Sequence, residues 1–176
     1  MSRVAVVTGA SGLLGGNLAV ELLARGFSVR ATRRGSTKVA HLAEHAIEWV
    51  SADLDDERAL AVAFRGADVV FHCAAMVSIL AKPTPELVAA NVQGTRNVLS
   101  AFAAAKAGRL VHVSTTAAVG VSRDGKPSDE SATWNFDEFG LADGYSITKR
   151  DAEHAVKAAA DGGLDAVIVN PGYMFG

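Results

Sequence analysis

Residues 3–15 read Arg3-Val4-Ala5-Val6-Val7-Thr8-Gly9-Ala10-Ser11-Gly12-Leu13-Leu14-Gly15, a short apolar run followed by three glycines at T-G-x-x-G-x-x-G spacing. A helical pattern of leucines follows at once. A strand that turns into a helix N-terminus presents unpaired N–H groups and a positive dipole end to a pyrophosphate. We predict that Gly9 makes the turn, that Gly12 leaves room for the phosphates, and that Gly15 lets the helix pack closely on the sheet.

The composition indicates one globular domain over residues 1–176. Hydrophobic residues make up 49% of the chain and charged residues 20%, and this length can bury a substantial core. The net charge of -2, with scattered basic residues, argues against nucleic acid as a partner. No apolar run is long enough to span a membrane, and the N-terminal residues lack the pattern of a secretory signal. With Cys73 as its only cysteine, the chain is expected to be cytoplasmic.

Strand and helix patterns alternate along the chain, which is typical of a parallel sheet covered on both faces. The predicted strands are Val4–Thr8, Ser28–Thr32, Glu48–Ser51, Val69–His72, Leu110–Ser114 and Ala166–Asn170. The predicted helices are Gly12–Arg25, Val39–Glu44, Glu57–Phe64, Glu86–Ala107 and Tyr145–Ala160. We predict a doubly wound α/β fold with strand order 3-2-1-4-5-6. Residues 121–144 form one long irregular connection, and such loops are often functional.

Ligands in such folds bind outside the carboxyl ends of the strands. The sequence stops at Gly176, shortly after the last predicted strand. We therefore expect the C-terminal substrate-binding part, which would close over this edge, to be missing or minimal. A naturally short protein and a fragment of a longer one both remain open.

Tyr145 and Lys149 lie four residues apart, so a helix places them on one face about one turn apart. A tyrosine with a pKa of about 10 is a poor acid or base at neutral pH. A nearby cation lowers that pKa, so the pair is suited to proton transfer at a carbonyl or alcohol oxygen. A hydroxyl run, Ser114-Thr115-Thr116, ends the fifth predicted strand and would lie at the same edge of the sheet.

The order of these motifs resembles the extended, epimerase/reductase branch of the short-chain dehydrogenase/reductase superfamily. Further matching segments are Asp53-Leu54, Val70-Phe71-His72-Cys73-Ala74-Ala75, Asn91-Val92-Gln93-Gly94-Thr95 and Asn170-Pro171-Gly172-Tyr173-Met174-Phe175-Gly176. The similarity covers essentially the whole chain. The segment Val29-Arg30-Ala31-Thr32-Arg33-Arg34 is most similar to dihydroflavonol-4-reductase-like proteins. The resemblance implies a Rossmann fold that binds a nicotinamide dinucleotide.

The resemblance also implies roles for individual residues. Tyr145 would be the general acid/base, and Lys149 would lower its pKa and hold the nicotinamide ribose. Thr116 would hydrogen-bond the reacting oxygen where the family usually has serine, with Thr115 as the alternative, and Asn170 stands where members often carry arginine. The implied cofactor-binding residues are Gly9, Ser11, Gly12, Leu13, Leu14, Gly15, Arg33, Arg34, Asp53, Leu54, Ala74, Ala75, Lys149, Pro171 and Gly172.

The end of the second predicted strand bears on the choice between NAD and NADP. An NAD site usually has a carboxylate there for the ribose 2′-OH, whereas an arginine suits a 2′-phosphate. Residues 22–43 include no acidic residue, while Arg30, Arg33, Arg34 and Lys38 are basic. A planar guanidinium matches phosphate geometry. The sequence therefore predicts NADP as the cofactor, with NAD as the second choice.

We expect an NADP-dependent oxidoreductase that interconverts a carbonyl and an alcohol on a small molecule. The first alternative is a sugar-nucleotide epimerase or dehydratase that keeps NAD bound. The second is a non-catalytic dinucleotide-binding module or fragment. The oligomeric state stays open, with a homodimer as one option.

Two other groups of residues are candidates for a site. His72 has only the adjacent Cys73 at ligand spacing, so no metal site is expected. Trp134, Phe136 and Phe139 lie in the irregular connection, where they either line a substrate pocket or anchor the loop.

Overall fold

The computed structural model describes residues 2–35 and 37–175. It contains a six-stranded sheet made of β1 (Val4–Thr8), β2 (Ser28–Arg33), β3 (Ile47–Ser51), β4 (Val69–His72), β5 (Arg109–Val113) and β6 (Ala166–Val169). The strand order is β3-β2-β1-β4-β5-β6, and every neighbouring pair is parallel. The predicted doubly wound fold is confirmed, and each strand end lies within one residue of its predicted position.

The helices are α1 (Leu13–Ala24), α2 (Glu57–Phe64), α3 (Pro85–Val88), α4 (Gly94–Ala105) and α5 (Gly144–Asp161). A π-helical segment, Ala89–Gln93, joins α3 to α4, so the single helix predicted over residues 86–107 changes its winding twice. It begins at Pro85 behind a hydrogen-bonded cap from Thr84, and it ends where Lys106 adopts a left-handed φ of 52°.

The prediction of a helix over Val39–Glu44 is wrong. The structure has only a 3-10 turn there, Ala40–Leu42, and Val39 before it has a non-helical φ of -131°. A helix of this length makes too few hydrogen bonds to offset the cost of nucleating it. The turn nevertheless buries Leu42 in the apolar core beneath α1.

Two apolar cores lie on the two faces of the sheet. Successive side chains of a strand point to opposite faces, so Val6 of β1 joins the core with α2, α4 and α5, while Ala5 and Val7 join the core with α1. Leu60 and Phe64 of α2 are fully buried in the first core. Because all six strands are parallel, the segments that follow their carboxyl ends lie along one edge of the sheet.

The connection between β5 and α5 is irregular, as predicted, apart from short 3-10 turns. Trp134 anchors it, because the indole Nε1 donates to the Ala117 carbonyl oxygen at 3.0 Å and the ring stacks on Phe136. A Cβ on Gly120 would collide with the Thr133 carbonyl oxygen, so the two arms of the loop can pass only with glycine there. For Trp134, the structure shows the anchoring role.

Candidate active site

The glycine turn between β1 and α1 requires glycine at two of its three positions. Gly9 has a φ of 73°, and a Cβ there would lie 2.6 Å from the amide nitrogen of Ala74. A Cβ on Gly15 would collide with the Gly9 carbonyl oxygen, so the first turn of α1 lies directly against the end of β1. At Gly12 a Cβ would be 3.4 Å from its nearest neighbour, and this residue borders an open cavity.

The N-terminus of α1 is suited to an anion. Its N-cap residue is Gly12, which has no side chain to offer the first-turn amides. The first turn also carries no acidic residue that would neutralise the positive end of the helix dipole. The N–H groups and the dipole are therefore left to attract a negatively charged ligand.

A cavity of about 610 Å³ extends from the glycine turn along the segments that follow β2, β3 and β4. This volume falls within the usual range for small-molecule and cofactor sites. Nine of the predicted cofactor-binding residues line it, namely Gly9, Ser11, Gly12, Arg33, Arg34, Asp53, Leu54, Ala74 and Ala75. Outside its lining lie the predicted residues Leu13, Leu14, Gly15, Lys149, Pro171 and Gly172.

The other half of the lining was not predicted from the sequence and consists of Thr32, Thr37, Ala52, Asp55, Cys73, Met76, Glu86, Ala89 and Ala90. Five of these directly flank predicted residues at the ends of β2, β3 and β4, so extending each motif by one residue would have found them. Glu86, Ala89 and Ala90 come from α3 and the π-helical segment. Their approach to the cavity depends on tertiary packing and left no pattern in the sequence.

Two guanidinium groups lie where the cavity meets the end of β2. Arg33 is half-buried, with its guanidinium carbon 5.8 Å from the centroid of the Trp49 ring, and Arg34 is exposed. Arg30 belongs to the same basic stretch but is engaged elsewhere, because its Nε pairs with Glu48 and its Nη1 donates to two backbone carbonyls. Of the four basic residues in this stretch, only Arg33 and Arg34 line the cavity.

Helix α5 carries Tyr145 and Lys149 one turn apart, and Asp143 caps its N-terminus through a capping box. Lys149 is 3% exposed, and its Nζ donates to the Val113 carbonyl oxygen at 2.7 Å. Burial lowers the pKa of Lys149 to about 8, although the Glu153 carboxylate opposes this shift. The buried lysine is therefore hydrogen-bonded to the backbone at the end of β5.

The pKa of Tyr145 is raised, which corrects the expectation that Lys149 would lower it. Burial of the phenol has the largest effect, a hydrogen bond with the Thr115 side chain opposes it, and the Asp143 carboxylate adds to the rise. The ammonium of Lys149 is directed to the Val113 carbonyl and does not contribute to the shift. The phenol consequently keeps its proton at neutral pH.

The hydroxyl run after β5 is divided between two environments. The Thr115 side chain is close enough to Tyr145 to lower the pKa of the phenol, and it accepts from the Ala117 amide at 3.2 Å. Thr116 begins a 3-10 turn, is exposed, and lines a second cavity of about 470 Å³ together with Asn170. The structure thus brings Thr115 close to the phenol, while the predicted contact of Thr116 with the reacting oxygen stays a prediction.

Pro171 and Gly172 follow β6 at the same edge of the sheet. The Pro171 carbonyl oxygen accepts a hydrogen bond from the Thr116 amide at 3.1 Å, which ties the ends of β5 and β6 together. Gly172 is exposed. Both residues directly follow Asn170, which lines the second cavity. Their contact with a cofactor stays a prediction.

A chain of buried polar side chains leads from the interior of the protein to the wall of the first cavity. His72 lies 2.8 Å from Thr8 Oγ1 through Nδ1 and 3.1 Å from Thr95 Oγ1 through Nε2. Because the Thr95 hydroxyl donates to the Asn91 carbonyl oxygen at 2.7 Å, it accepts from His72, whose hydrogen is therefore on Nε2. Thr8 in turn donates to Nδ1 and accepts from the Ala74 amide, so this chain of bonds reaches the cavity wall.

His112 is buried beside His72, with their ring centroids 5.3 Å apart. Neither of its ring nitrogens has a hydrogen-bond partner among the described residues. Burial lowers the pKa of His72 to about 3 and that of His112 to about 2, and the ammonium of Lys149 adds to both shifts. Both imidazoles are therefore neutral in the folded protein at physiological pH.

Asn91 connects the π-helical segment to the cavity. Its Oδ1 accepts from the Met76 amide at 2.7 Å, and its Nδ2 donates to the Met76 carbonyl oxygen at 2.9 Å and to Thr148 at 3.1 Å. One side chain thereby holds the segment after β4 against α5.

Across residues 2–35 and 37–175, no three His, Cys, Asp or Glu side chains come together in a way that could hold a metal ion. His72 instead binds two threonines, and burial raises the pKa of the neighbouring Cys73 thiol to about 12. In the same described part of the chain, no helix combines the length and apolar character needed to cross a membrane.

The chain is similar to proteins of known family. The model of the NAD dependent epimerase/dehydratase family matches residues 5–176. The chain is 40% identical over 171 residues to sterol demethylase protein B of Methylococcus capsulatus, which covers 97% of this chain and 51% of that protein. It is 39% identical over 170 residues to a putative dihydroflavonol 4-reductase of Synechocystis, with coverages of 97% and 49%.

A solved structure shows the same architecture. The UDP-glucose 4-epimerase of Thermus thermophilus in complex with NAD superimposes with a TM-score of 0.81 and 25% identity, covering 96% of this chain and 54% of that one. The chain therefore spans about half the length of each of the three proteins compared.

Proposed function

The chain belongs to the NAD-dependent epimerase/dehydratase family, and from this premise we propose that it is an NADP-dependent oxidoreductase that interconverts a carbonyl and an alcohol on a small molecule. The observation that carries the proposal is Tyr145, a half-buried phenol that lies one turn from the buried Lys149 on α5. The similarity to a putative dihydroflavonol 4-reductase supports the proposal of a reductase over that of an epimerase.

The residues of the first cavity fit a nicotinamide dinucleotide. Gly12 leaves space beside the N-terminus of α1, where a pyrophosphate would meet N–H groups and the positive end of the dipole. Arg33 is the last residue of β2 and Arg34 follows it, where the adenosine ribose of such a cofactor binds. When bound, the nicotinamide would supply or accept the hydride.

The chain's own residues would handle the proton. The Oη of Tyr145 is protonated at neutral pH and would donate to a carbonyl oxygen during reduction, although burial raises its pKa and so makes the phenol a weaker acid. The Thr115 hydroxyl would then stabilise the phenolate by donating a hydrogen bond to it. Lys149 keeps the end of β5 in place through the Val113 carbonyl. Thr116 remains the predicted contact to the substrate oxygen.

A sugar-nucleotide epimerase or dehydratase is the second candidate, and the likeness to an epimerase solved with NAD favours it. The two functions differ in whether the cofactor is consumed. A reductase consumes one NADPH for each carbonyl reduced, whereas an epimerase returns its cofactor to the starting state. Measuring NADPH consumption with a panel of small aldehydes and ketones therefore tests the proposal. Binding without any turnover would instead support a non-catalytic module.

We expect NADPH to bind the chain at least about tenfold more tightly than NADH. A charge-assisted hydrogen bond contributes about 1.5–3 kcal/mol, which corresponds to about one to two decades of affinity. Arg34 is expected to be the main contact, because the family resemblance places the phosphate-binding arginine there. Replacing Arg33 and Arg34 together by alanine should remove the preference and barely change NADH binding, as measured by cofactor fluorescence.

Lys38 provides the matched control for this experiment. It belongs to the same basic stretch and is exposed, but it does not line the cavity. Lys38→Ala should therefore keep the preference for NADPH. Equal affinities for the two cofactors in the unmodified chain, or tighter binding of NADH, would contradict the assignment of NADP.

A further inference from the structure

Glu153 lies on α5 one turn beyond Lys149, and its side chain is 5% exposed. Its Oε2 accepts from Ser114 Oγ at 2.6 Å and from Asn170 Nδ2 at 2.9 Å. Its Oε1 pairs at 2.7 Å with the ammonium of Lys157, which is half-exposed on the next turn. The helix and the ends of β5 and β6 therefore meet at one carboxylate.

The carboxylate is ionised in spite of its burial. Burial raises the pKa of Glu153, but the hydrogen bonds from Lys157, Ser114 and Asn170 together bring it below its ordinary value. A buried anion with this many donors is satisfied, whereas its removal would leave the Ser114 and Asn170 donors without an acceptor. The arrangement thus depends on an acceptor at this position.

The end of β5 is held at three consecutive residues by three different side chains. Lys149 binds the Val113 carbonyl oxygen at 2.7 Å. Glu153 binds the Ser114 hydroxyl. Asn170 binds the Thr115 carbonyl oxygen at 3.0 Å with the same Nδ2 that contacts Glu153, so the amide bridges the carboxylate and the backbone.

Resting on the proposed function, we propose that Glu153 is a positioning residue that fixes the end of β5, and with it the place of Thr115 beside Tyr145. It acts through Ser114 and Asn170 and does not touch the reacting atoms. The side chain at position 170 takes part because its short amide reaches both Glu153 and the Thr115 carbonyl.

Two substitutions separate this role from simple packing. Glu153→Gln keeps an oxygen that can accept from Ser114 and Asn170, whereas Glu153→Met keeps the length of the side chain and removes the acceptor. We expect Glu153→Met to lower kcat by about 10- to 100-fold, because small misplacements of reacting groups have effects of this size. The KM should change little, and Glu153→Gln should restore most of the rate.

A second readout works without turnover. The chain has two tyrosines, and Tyr173 is 97% exposed. In a Tyr173→Phe background, NMR of ring-labelled tyrosine follows the titration of Tyr145 alone. Because the hydrogen bond with Thr115 lowers the pKa of this phenol, Glu153→Met should raise that pKa further, and Glu153→Gln should not.

Two more variants complete the test. Lys157→Met removes only the half-exposed partner of the carboxylate and should leave the phenol titration unchanged. Ser114→Ala removes one link and should raise the pKa of Tyr145 in the same direction, with no further rise when combined with Glu153→Met. If Glu153→Met does not fold, the Ser114→Ala titration decides, and a pKa identical to that of the parent overturns the proposal.

The two proposals fail in different ways. A folded Glu153→Met variant with the phenol titration and kcat of the parent would overturn the positioning role. A parent chain without turnover, in which Glu153→Met still raises the pKa of Tyr145, would overturn the proposed oxidoreductase function and support the positioning role.

Discussion

Replacing Tyr145 by phenylalanine should lower carbonyl reduction by about 10²- to 10⁴-fold, which is the range that general acid–base catalysis contributes. The phenol Oη is the proton donor in the proposed reaction, and it is protonated at neutral pH. Phenylalanine keeps the half-buried ring and removes only the oxygen, so the fold and the affinity for NADPH should be preserved. Steady-state kinetics and a fluorescence titration of NADPH measure the two effects separately.

Tyr173→Phe is the matched control, because this tyrosine is 97% exposed and the substitution is chemically identical. It should change neither turnover nor cofactor affinity. Unchanged turnover in Tyr145→Phe would contradict the proposed role of the phenol. Loss of NADPH binding in that variant would show that the tyrosine acts in binding rather than in proton transfer.

The second large effect concerns stability below neutral pH. His72 and His112 are each 1% exposed, and burial lowers their pKa values to about 3 and about 2. In an unfolded chain a histidine has a pKa of about 6.5. Below that pH the unfolded chain takes up two protons that the folded chain does not bind. The free energy of unfolding should therefore fall as the pH falls, with a slope that approaches about 2.7 kcal/mol per pH unit for the two groups.

Urea unfolding between pH 7.5 and 5 measures this slope. His112→Leu should remove about half of it, since one titrating group is lost. At pH 7.5 the same variant should be more stable by about 1–3 kcal/mol, because it removes two buried nitrogens that have no partner among the described residues. His154 is exposed on α5, so His154→Leu is the control and should keep the full slope. A pH-independent free energy of unfolding in the parent would contradict neutral burial of the histidines.

The sheet could be predicted from the sequence because each strand is encoded by the few residues that form it. Each strand is a short apolar run with its own turn signals, and the T-G-x-x-G-x-x-G spacing identifies the first crossover. The predicted helix over residues 39–44 failed because the local pattern did not reveal that only one turn packs there. The π-helical segment was also missed, because it depends on the contacts of Asn91 with Met76 and Thr148, which lie far from it in sequence.

The sequence indicated many of the residues of the candidate site, but not how their side chains are oriented. The spacing of Tyr145 and Lys149 places both on one face of α5, yet it does not show that the ammonium is directed to the Val113 carbonyl. The sign of the phenol's pKa shift follows from burial, to which the Asp143 carboxylate adds. Likewise, only the path of the backbone after β5 decides which of Thr115 and Thr116 meets the phenol.

The central position of β1 has a consequence for the synthesis of the chain. Val4 of β1 pairs with Ser28 of β2, but its other edge is completed only by β4, where Thr8 pairs with His72. At a translation rate of about 5–20 residues per second, β4 leaves the ribosome roughly 3–13 s after β1. During that interval an apolar strand edge is open to pairing with other nascent chains. Of the strands that have two neighbours, β1 thus waits longest for its second one while the protein is being made.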